Sequence, residues 1–332
     1  MAANARKKAS PLENDTQAPA IWLITDNKPG HRNQLRGLAG RLRALTGAKL
    51  YWLNAADYPV PLWRALLGLA PTMDKALPQP DLIVAAGSGT HRLLLALRRY
   101  RKARTLVLMK PAFPLNWVDG AIIPAHDDVK PSKTVLNTEG VINAITPLAE
   151  LTGKPKALIL VGGPSEHFDW NNDTITSQIS DLIARYPRWH WTISDSRRTP
   201  EALYRRLTEL QSKAVSVVHH SQTDDDWLKH QLETSRAVWV TPDSMSMVCE
   251  AATSGVPTGI FDLPPRAGSR VVNGISRLAR LGLVAHWSDH ASVMAEHQPQ
   301  HPRLWEADRA ARWIIDRFPR LLEPRQNKEQ RP

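Results

Sequence analysis

The residues best suited to chemistry stand where predicted strands end and helices begin. The first such stretch, Asp26–Gln34, contains a carboxylate, a lysine, a glycine and a histidine. His31, at the start of a helix, can act as a base near neutral pH, and Asp26 is a second candidate for that role. Lys28 can hold negative charge beside them. The structural alternative is that Asp26 and Asn27 cap a turn while His31 is merely exposed.

A second loop, Gly87-Ser88-Gly89-Thr90-His91, joins the third predicted strand to a helix. Two glycines let the backbone approach a ligand closely. The pattern is only G-x-G, which is a weak dinucleotide signal, and a tight turn with Thr90 as N-cap explains it equally well.

Two loops in the second half of the chain suit phosphate groups. Gly162-Gly163-Pro164-Ser165 follows a predicted strand, but no G-K-[ST] follows, so it is not a Walker loop. Arg197 and Arg198 precede a helix, where a guanidinium can grip a diphosphate through two hydrogen bonds. Solvated surface arginines are the alternative.

The strongest single stretch runs from Thr241 to Glu250. A buried-type strand leads into a helix whose first turn offers the hydroxyls of Ser244 and Ser246, together with unpaired N–H groups for phosphate oxygens. Glu250 is four residues after Ser246, so both lie on one helix face, and its carboxylate can accept both hydroxyls of a ribose. In the alternative, Ser244 is a simple cap and Glu250 a surface acid.

The sequence predicts no metal site. Asp224–Asp226 fits the D-x-D pattern of metal-dependent sugar transferases, but negative charge before a helix explains it. His126 with Asp127 and Asp128 is a weaker candidate. No HExxH, C-x-x-C or G-x-S-x-G is present, and the twelve histidines show no metal-ligand spacing.

Two series of short apolar strands alternating with amphipathic helices must position these loops. The series are split near Pro147–Pro155, which predicts an α/β protein with two Rossmann-like domains whose parallel sheets face across a cleft. Ligands in such sheets bind at the carboxyl ends of the strands. We expect disordered tails at 1–17 and 323–332, an N-terminal domain at 18–150, a C-terminal domain at 151–300 and a brace helix at 301–322.

Composition narrows the class of protein further. The chain has 332 residues, and a net charge of +11 favours anionic partners. Cys249 is the one cysteine, which excludes an internal disulfide and fits a reducing, cytoplasmic location. No signal peptide or spanning segment is expected. A nucleic-acid binder is disfavoured because no recognition motif accompanies the charge, and a dehydrogenase because no full G-x-G-x-x-G follows either first strand.

Taken together, the loops resemble the mitochondrial fission ELM-type family, whose bacterial members are regarded as glycosyltransferases of the GT-B superfamily. Asn27 stands where the family more often has glycine, and the resemblance is expected to fade beyond Asp262. The stretches that carry it, in chain order, are Asp26–Gln34, Gly87–His91, Gly162–Ser165, Ser196–Pro200 and Asp243–Met247.

The resemblance implies metal-independent transfer of a sugar from a nucleotide-diphosphate sugar to an acceptor hydroxyl, with the nucleotide sugar as donor substrate and no cofactor. His31, or else Asp26, would be the base, with Lys28 beside it. The residues implied to bind the donor are Gly162, Gly163, Ser165, Arg197, Arg198, Ser244, Ser246 and Glu250. Those implied to face the acceptor are Gly30, Gln34, Gly87, Ser88 and His91.

A glycolipid acceptor, such as lipopolysaccharide core or another envelope precursor, is expected from a basic run near an apolar stretch that contains Trp63 and Leu66. Such a surface suits docking on anionic lipid, which would place the protein at the inner face of the cytoplasmic membrane. The alternatives are a solvated basic surface, a GT-B-like nucleotide-sugar epimerase, and a non-enzymatic peripheral membrane scaffold. The run consists of Arg98, Arg99, Arg101, Lys102 and Arg104.

Overall fold

The computed structural model describes residues 18–295 and 304–321 and contains two parallel sheets. The first is built from β1 Ala20–Thr25, β2 Lys49–Asn54, β3 Leu82–Ala86, β4 Arg104–Leu108, β5 Gly120–Pro124 and β6 Val135–Thr138, in the order β2-β1-β3-β4-β5-β6. The second is built from β7 Lys156–Leu160, β8 His190–Ser194, β9 Val215–Val218, β10 Ala237–Val240 and β11 Thr258–Ile260, in the order β11-β10-β7-β8-β9.

Helices connect these strands and cover the sheets. They are α1 Pro29–Thr46, α2 Leu62–Leu67, α3 His91–Leu97, α4 Asn172–Arg185, α5 Glu201–Glu209, α6 Trp227–Thr234, α7 Met245–Ser254, α8 Arg270–Arg280, α9 His290–Val293 and α10 Glu306–Arg317. The prediction of two Rossmann-like parallel sheets is confirmed. The predicted tails at 1–17 and 323–332 lie outside the described residues, and the domain boundaries stay predictions.

The inner strands of both sheets are buried on their two faces, which is why β1, β3, β7 and β10 are mainly apolar runs. One face of the first sheet packs on α1 and α10, and the other packs on α2 and α3. The last helix therefore returns to the first sheet, where Asp308 of α10 accepts a hydrogen bond from Arg41 of α1 at 2.5 Å.

Side chains also join the two halves of the molecule. Arg277 of α8 forms two hydrogen bonds with Glu139, which lies just after β6, and this bonding lowers the pKa of that carboxyl. Gly37 of α1 lies against the connecting segment, where a Cβ would meet the carbonyl oxygen of Asn143 at 2.0 Å. The segment between the sheets is thus fixed by both of them.

Candidate functional site

A cavity of about 600 Å³ lies where strand ends of the two sheets meet. Loops that follow β1, β3, β4 and β5 form one wall, and the loop after β7 together with the start of α8 forms the other. Its charged and polar lining groups are Lys28, His31, Ser88, His91, Lys110, His126, Asp127, Glu166, His167 and Arg270.

His31 and Asp26 form a hydrogen-bonded pair in this cavity. The imidazole Nδ1 lies 2.8 Å from Asp26 Oδ1 and 3.0 Å from Oδ2, and the side chains are only 21% and 10% exposed. A carboxylate accepting from Nδ1–H fixes the tautomer in which Nε2 carries the lone pair. The two alternative bases considered from the sequence are therefore one unit, with Asp26 orienting His31.

Glycine is required beside this pair. Gly87 has a φ of 93°, and a Cβ there would lie 2.2 Å from His31 Nδ1 and 2.6 Å from Asp26 Oδ2. At Gly89 a Cβ would lie 2.9 Å from the Asp26 Cβ. The G-x-G pattern thus lets the backbone approach the His31–Asp26 pair. Asn27 has a φ of 63°, which asparagine tolerates, so the turn survives without the family's glycine.

The rest of the cavity carries both signs of charge. Arg270 of α8 donates to Asp127 Oδ1 at 2.6 Å across the cleft, and Lys110 Nζ lies 3.3 Å from the Asp127 carbonyl oxygen. Burial lowers the pKa of His91, so this ring is neutral at pH 7 and can line the cavity without adding charge. Glu166 is exposed on the opposite wall.

The Gly162–Gly163 loop is built around the buried carboxylate of Asp243. The N–H of Gly163 donates to Asp243 Oδ2 at 3.1 Å, and the N–H of Gly162 donates to Thr241 Oγ1 at 2.7 Å. Arg198 donates to Asp243 Oδ2 at 2.5 Å, so its guanidinium holds this loop together. Arg198 is thus engaged by Asp243, and its predicted contact with a diphosphate stays a prediction.

The first turn of α7 presents polar groups that the rest of the described structure does not engage. Ser244 and Ser246 are partly exposed, and neither hydroxyl has a hydrogen-bond partner among residues 18–295 and 304–321. The first N–H groups of a helix also lack partners within it. These groups lie outside the cavity wall but close to it, since Met245 and the cavity residue His126 both approach Gly274 of α8.

Glu250, the predicted ribose ligand, is bonded to the other half of the molecule. Asn33 of α1 donates from Nδ2 to Glu250 Oε1 at 2.6 Å, and the Asn33 Oδ1 accepts from the N–H of Ala144 at 3.3 Å. Burial raises the pKa of Glu250 to about 7. A ribose at this carboxylate would have to displace Asn33.

The other predicted residues lie at different distances from the cavity. Gln34 is buried and donates to Met109 Sδ at 3.4 Å, which corrects its assignment to the acceptor side. Gly30 is exposed in the first turn of α1, and Ser165 accepts from the N–H of His167. Arg197 is exposed and has no hydrogen-bond partner in the described part of the chain.

One cluster was missed by sequence reasoning. Asp195 follows β8, and His219 and His220 follow β9, its neighbour in the sheet. The adjacent histidines are 24 and 25 residues from the aspartate, so no local spacing pattern links them to it. Only the pairing of these strands brings the three side chains together.

Solved structures of low sequence identity share the fold of this protein. The fold is that of GT-B proteins, in which two Rossmann-like halves face each other. It is similar to the UDP-GlcNAc 2-epimerase of Neisseria meningitidis bound to UDP-GlcNAc, at 11% identity, 92% and 100% coverage of the two chains and a TM-score of 0.56. It is also similar to the glycotransferase of kitacinnamycin, at 14% identity, 91% and 100% coverage and a TM-score of 0.50.

The sequence belongs to the family described as Mitochondrial fission ELM1, whose profile matches residues 29–318. The family resemblance is therefore confirmed, whereas the expectation that it fades beyond Asp262 is wrong. An uncharacterized protein of Rickettsia prowazekii is 26% identical over 308 residues, covering 75% of this chain and 84% of that protein.

Proposed function

We propose that this protein is a metal-independent glycosyltransferase that moves a sugar from a nucleotide-diphosphate sugar to an acceptor hydroxyl. The observation that carries the proposal is the His31–Asp26 pair, held in a cavity between two sheets whose fold is shared with nucleotide-sugar proteins. A carboxylate-oriented imidazole is a general base that works near neutral pH.

In the proposed reaction, His31 Nε2 removes the proton from the acceptor hydroxyl as its oxygen attacks the anomeric carbon. The bond from that carbon to the β-phosphate oxygen breaks, and the nucleoside diphosphate leaves with the bonding electrons. Asp26 stabilises the imidazolium that forms. Lys28 and Arg197 are the cations offered to the departing diphosphate, together with the first turn of α7.

The donor would lie along the strand ends of the second sheet. Its diphosphate would meet Ser244, Ser246 and the N–H groups of that turn, beside the Gly162–Gly163 loop. Its ribose would meet Glu250 after exchange with Asn33. Ser88 and His91, on the other wall of the cavity, would face the acceptor.

The transfer is tested by incubating the full chain with UDP-, GDP- and CMP-sugars and a bacterial envelope lipid extract, then measuring release of the nucleotide. We expect turnover that falls by about 10²-fold or more in His31→Ala and by less in Asp26→Asn. His286→Ala, an exposed histidine elsewhere, is the matched control. Equal turnover in His31→Ala and the control would overturn the base assignment.

The acceptor is proposed to be a glycolipid, such as lipopolysaccharide core or another envelope precursor, reached by docking on an anionic membrane. Helix α2 and the residues after it expose large apolar side chains at 44–58% of their area, and no helix among the described residues is long and apolar enough to cross a bilayer. The exposed set, named here the α2 patch, is Leu62, Trp63, Leu66, Leu67 and Leu69.

Three of the five basic residues are exposed and have no side-chain hydrogen bond or ion pair within the described residues. Arg98 donates to the carbonyl oxygens of Ala65 and Leu66, which caps α2, and Arg104 is paired with Asp119. Both side chains are therefore engaged within the protein, and membrane contact through the basic run stays a proposal. The exposed cations that are left are Arg99, Arg101 and Lys102.

Flotation with vesicles of phosphatidylcholine alone, or of phosphatidylcholine mixed with phosphatidylglycerol, tests the docking. We expect binding to the anionic vesicles only, lost in Leu66→Gln/Leu67→Gln and kept in Leu281→Gln, an exposed leucine outside the α2 patch. No binding at low salt would argue for a water-soluble acceptor.

The second candidate is a nucleotide-sugar epimerase, favoured by the fold shared with an epimerase and by Asp127 and Glu166 in the cavity wall. An epimerase converts the nucleotide sugar without an acceptor, so product analysis separates the two activities. A non-enzymatic membrane scaffold predicts vesicle binding that survives His31→Ala with no turnover.

A further inference from the structure

We infer that Asp195, His219 and His220 form a binding site for one divalent cation of the Zn²⁺ type. The three side chains each offer one ligand atom, and these atoms lie within 4.8 Å of one another. Two imidazoles and one carboxylate are a donor set that zinc accepts.

The distances fit a shared cation. Asp195 Oδ2 lies 3.1 Å from His220 Nδ1 and 3.6 Å from His219 Nε2. Ligand atoms about 2.0–2.2 Å from a tetrahedral zinc stand roughly 3.3–3.6 Å apart. Little movement is therefore needed for one cation to contact all three.

The ligands are also held in place before any cation binds. The Asp195 side chain is 2% exposed, and its Oδ1 accepts from the N–H of His220 at 2.5 Å. His219 Nδ1 accepts from the N–H of Ser221 at 3.2 Å and lies 2.7 Å from Ser221 Oγ. Metal binding at Nε2 would move the ring proton to Nδ1 and replace the first contact by donation to that hydroxyl. His220 carries its proton on Nε2 when Nδ1 binds metal.

The cation would have three protein ligands and one position open to solvent, because the rings of His219 and His220 are 30% and 33% exposed. It would tie the end of β8 to the end of β9. None of its ligands lies in the wall of the cavity that holds His31, so the cation is not in contact with the proposed base.

The test is metal binding by tag-free, metal-stripped full chain, with Zn²⁺ titrated calorimetrically and bound Zn²⁺ counted by mass spectrometry. We expect one Zn²⁺ per chain, a higher melting temperature with Zn²⁺, and a Co²⁺ absorption band typical of a four-coordinate site. His219→Gln and His220→Gln should each weaken binding by at least about tenfold, and His190→Gln, at the opposite end of β8, should not.

Asp195→Asn removes the third ligand. If this variant fails to fold, His219→Gln and His220→Gln still test the site, because both rings are partly exposed and their replacement should leave the fold intact. Binding well below one Zn²⁺ per chain would overturn the proposal. So would equal affinity in His219→Gln, His220→Gln and His190→Gln, which would indicate binding elsewhere.

Discussion

Replacement of Glu250 by Gln tests whether a buried acid spans the two halves of the molecule. Glutamine presents the same side-chain oxygen to Asn33 Nδ2 but carries no titratable proton. The structure raises the pKa of Glu250 from 4.5 to about 7 by burial, with the Asn33 hydrogen bond opposing that rise. The variant should therefore change the pH dependence of stability rather than the fold.

The sign follows from proton linkage. A carboxyl whose pKa is higher in the folded state favours folding when protonated, so its contribution is complete below about pH 4.5 and is lost as the pH rises through 7. A shift of about 2.5 units corresponds to about 3 kcal/mol, at 1.36 kcal/mol per unit. The free energy of unfolding of Glu250→Gln, relative to that of the natural chain, should thus rise by about 3 kcal/mol as the pH goes from 4.5 to 8.

Scanning calorimetry over that pH range measures the effect as a difference in melting temperature. A gain of this size corresponds to about 4 °C for a chain of 332 residues, at an unfolding entropy of about 2.1 cal/mol/K per residue. Glu150→Gln, an exposed acid, is the matched control and should show no such trend. A difference between Glu250→Gln and the natural chain that stays flat with pH would refute the burial of an ionisable group at this contact.

Three further predictions concern other contacts. Gly87→Ala should abolish transfer, measured as nucleotide release, because its Cβ would lie 2.2 Å from His31 Nδ1, and unchanged turnover would contradict the geometry. Cys249 is fully buried and its pKa is raised to about 12, so a thiol reagent should label it only after denaturation, and fast labelling of the native chain would be inconsistent with that burial. Asp243→Ala should cost about 3 kcal/mol or more in urea unfolding because it leaves Arg198 and two loop hydrogen bonds without their acceptor, and a loss under 1 kcal/mol would count against this role.

The sequence predicted the elements whose signals are local. Apolar runs predicted both series of strands, and Gly47, with a φ of 68°, ends α1. The strand Val135–Thr138 was missed because it is short and partly polar. The helices α2, α8 and α9 were missed as well, although Val271, Ile275 and Leu278 have helical spacing and Ser269 caps α8.

The site was predictable only in part, because its decisive contacts join distant positions. Asp26 and His31 are five residues apart across a strand–helix junction, so their proximity could be expected but not their hydrogen bond. Asn33 and Glu250 are separated by 217 positions, and no local pattern indicates that pairing. The role of Arg198 was predicted from its charge alone. Charge does not reveal that the Arg198 guanidinium is hydrogen-bonded to the buried Asp243.

The most direct test of the central claim is titration of the purified chain with UDP, GDP and CDP by calorimetry. One nucleoside diphosphate is expected to bind with a dissociation constant in the range of about 1 μM to 1 mM, and Ser244→Ala/Ser246→Ala should weaken it by about tenfold or more. Ser276→Ala, an exposed serine on α8, should bind as the natural chain does. Absence of binding by all three nucleotides, or binding indifferent to the double substitution, would contradict a diphosphate site at the start of α7.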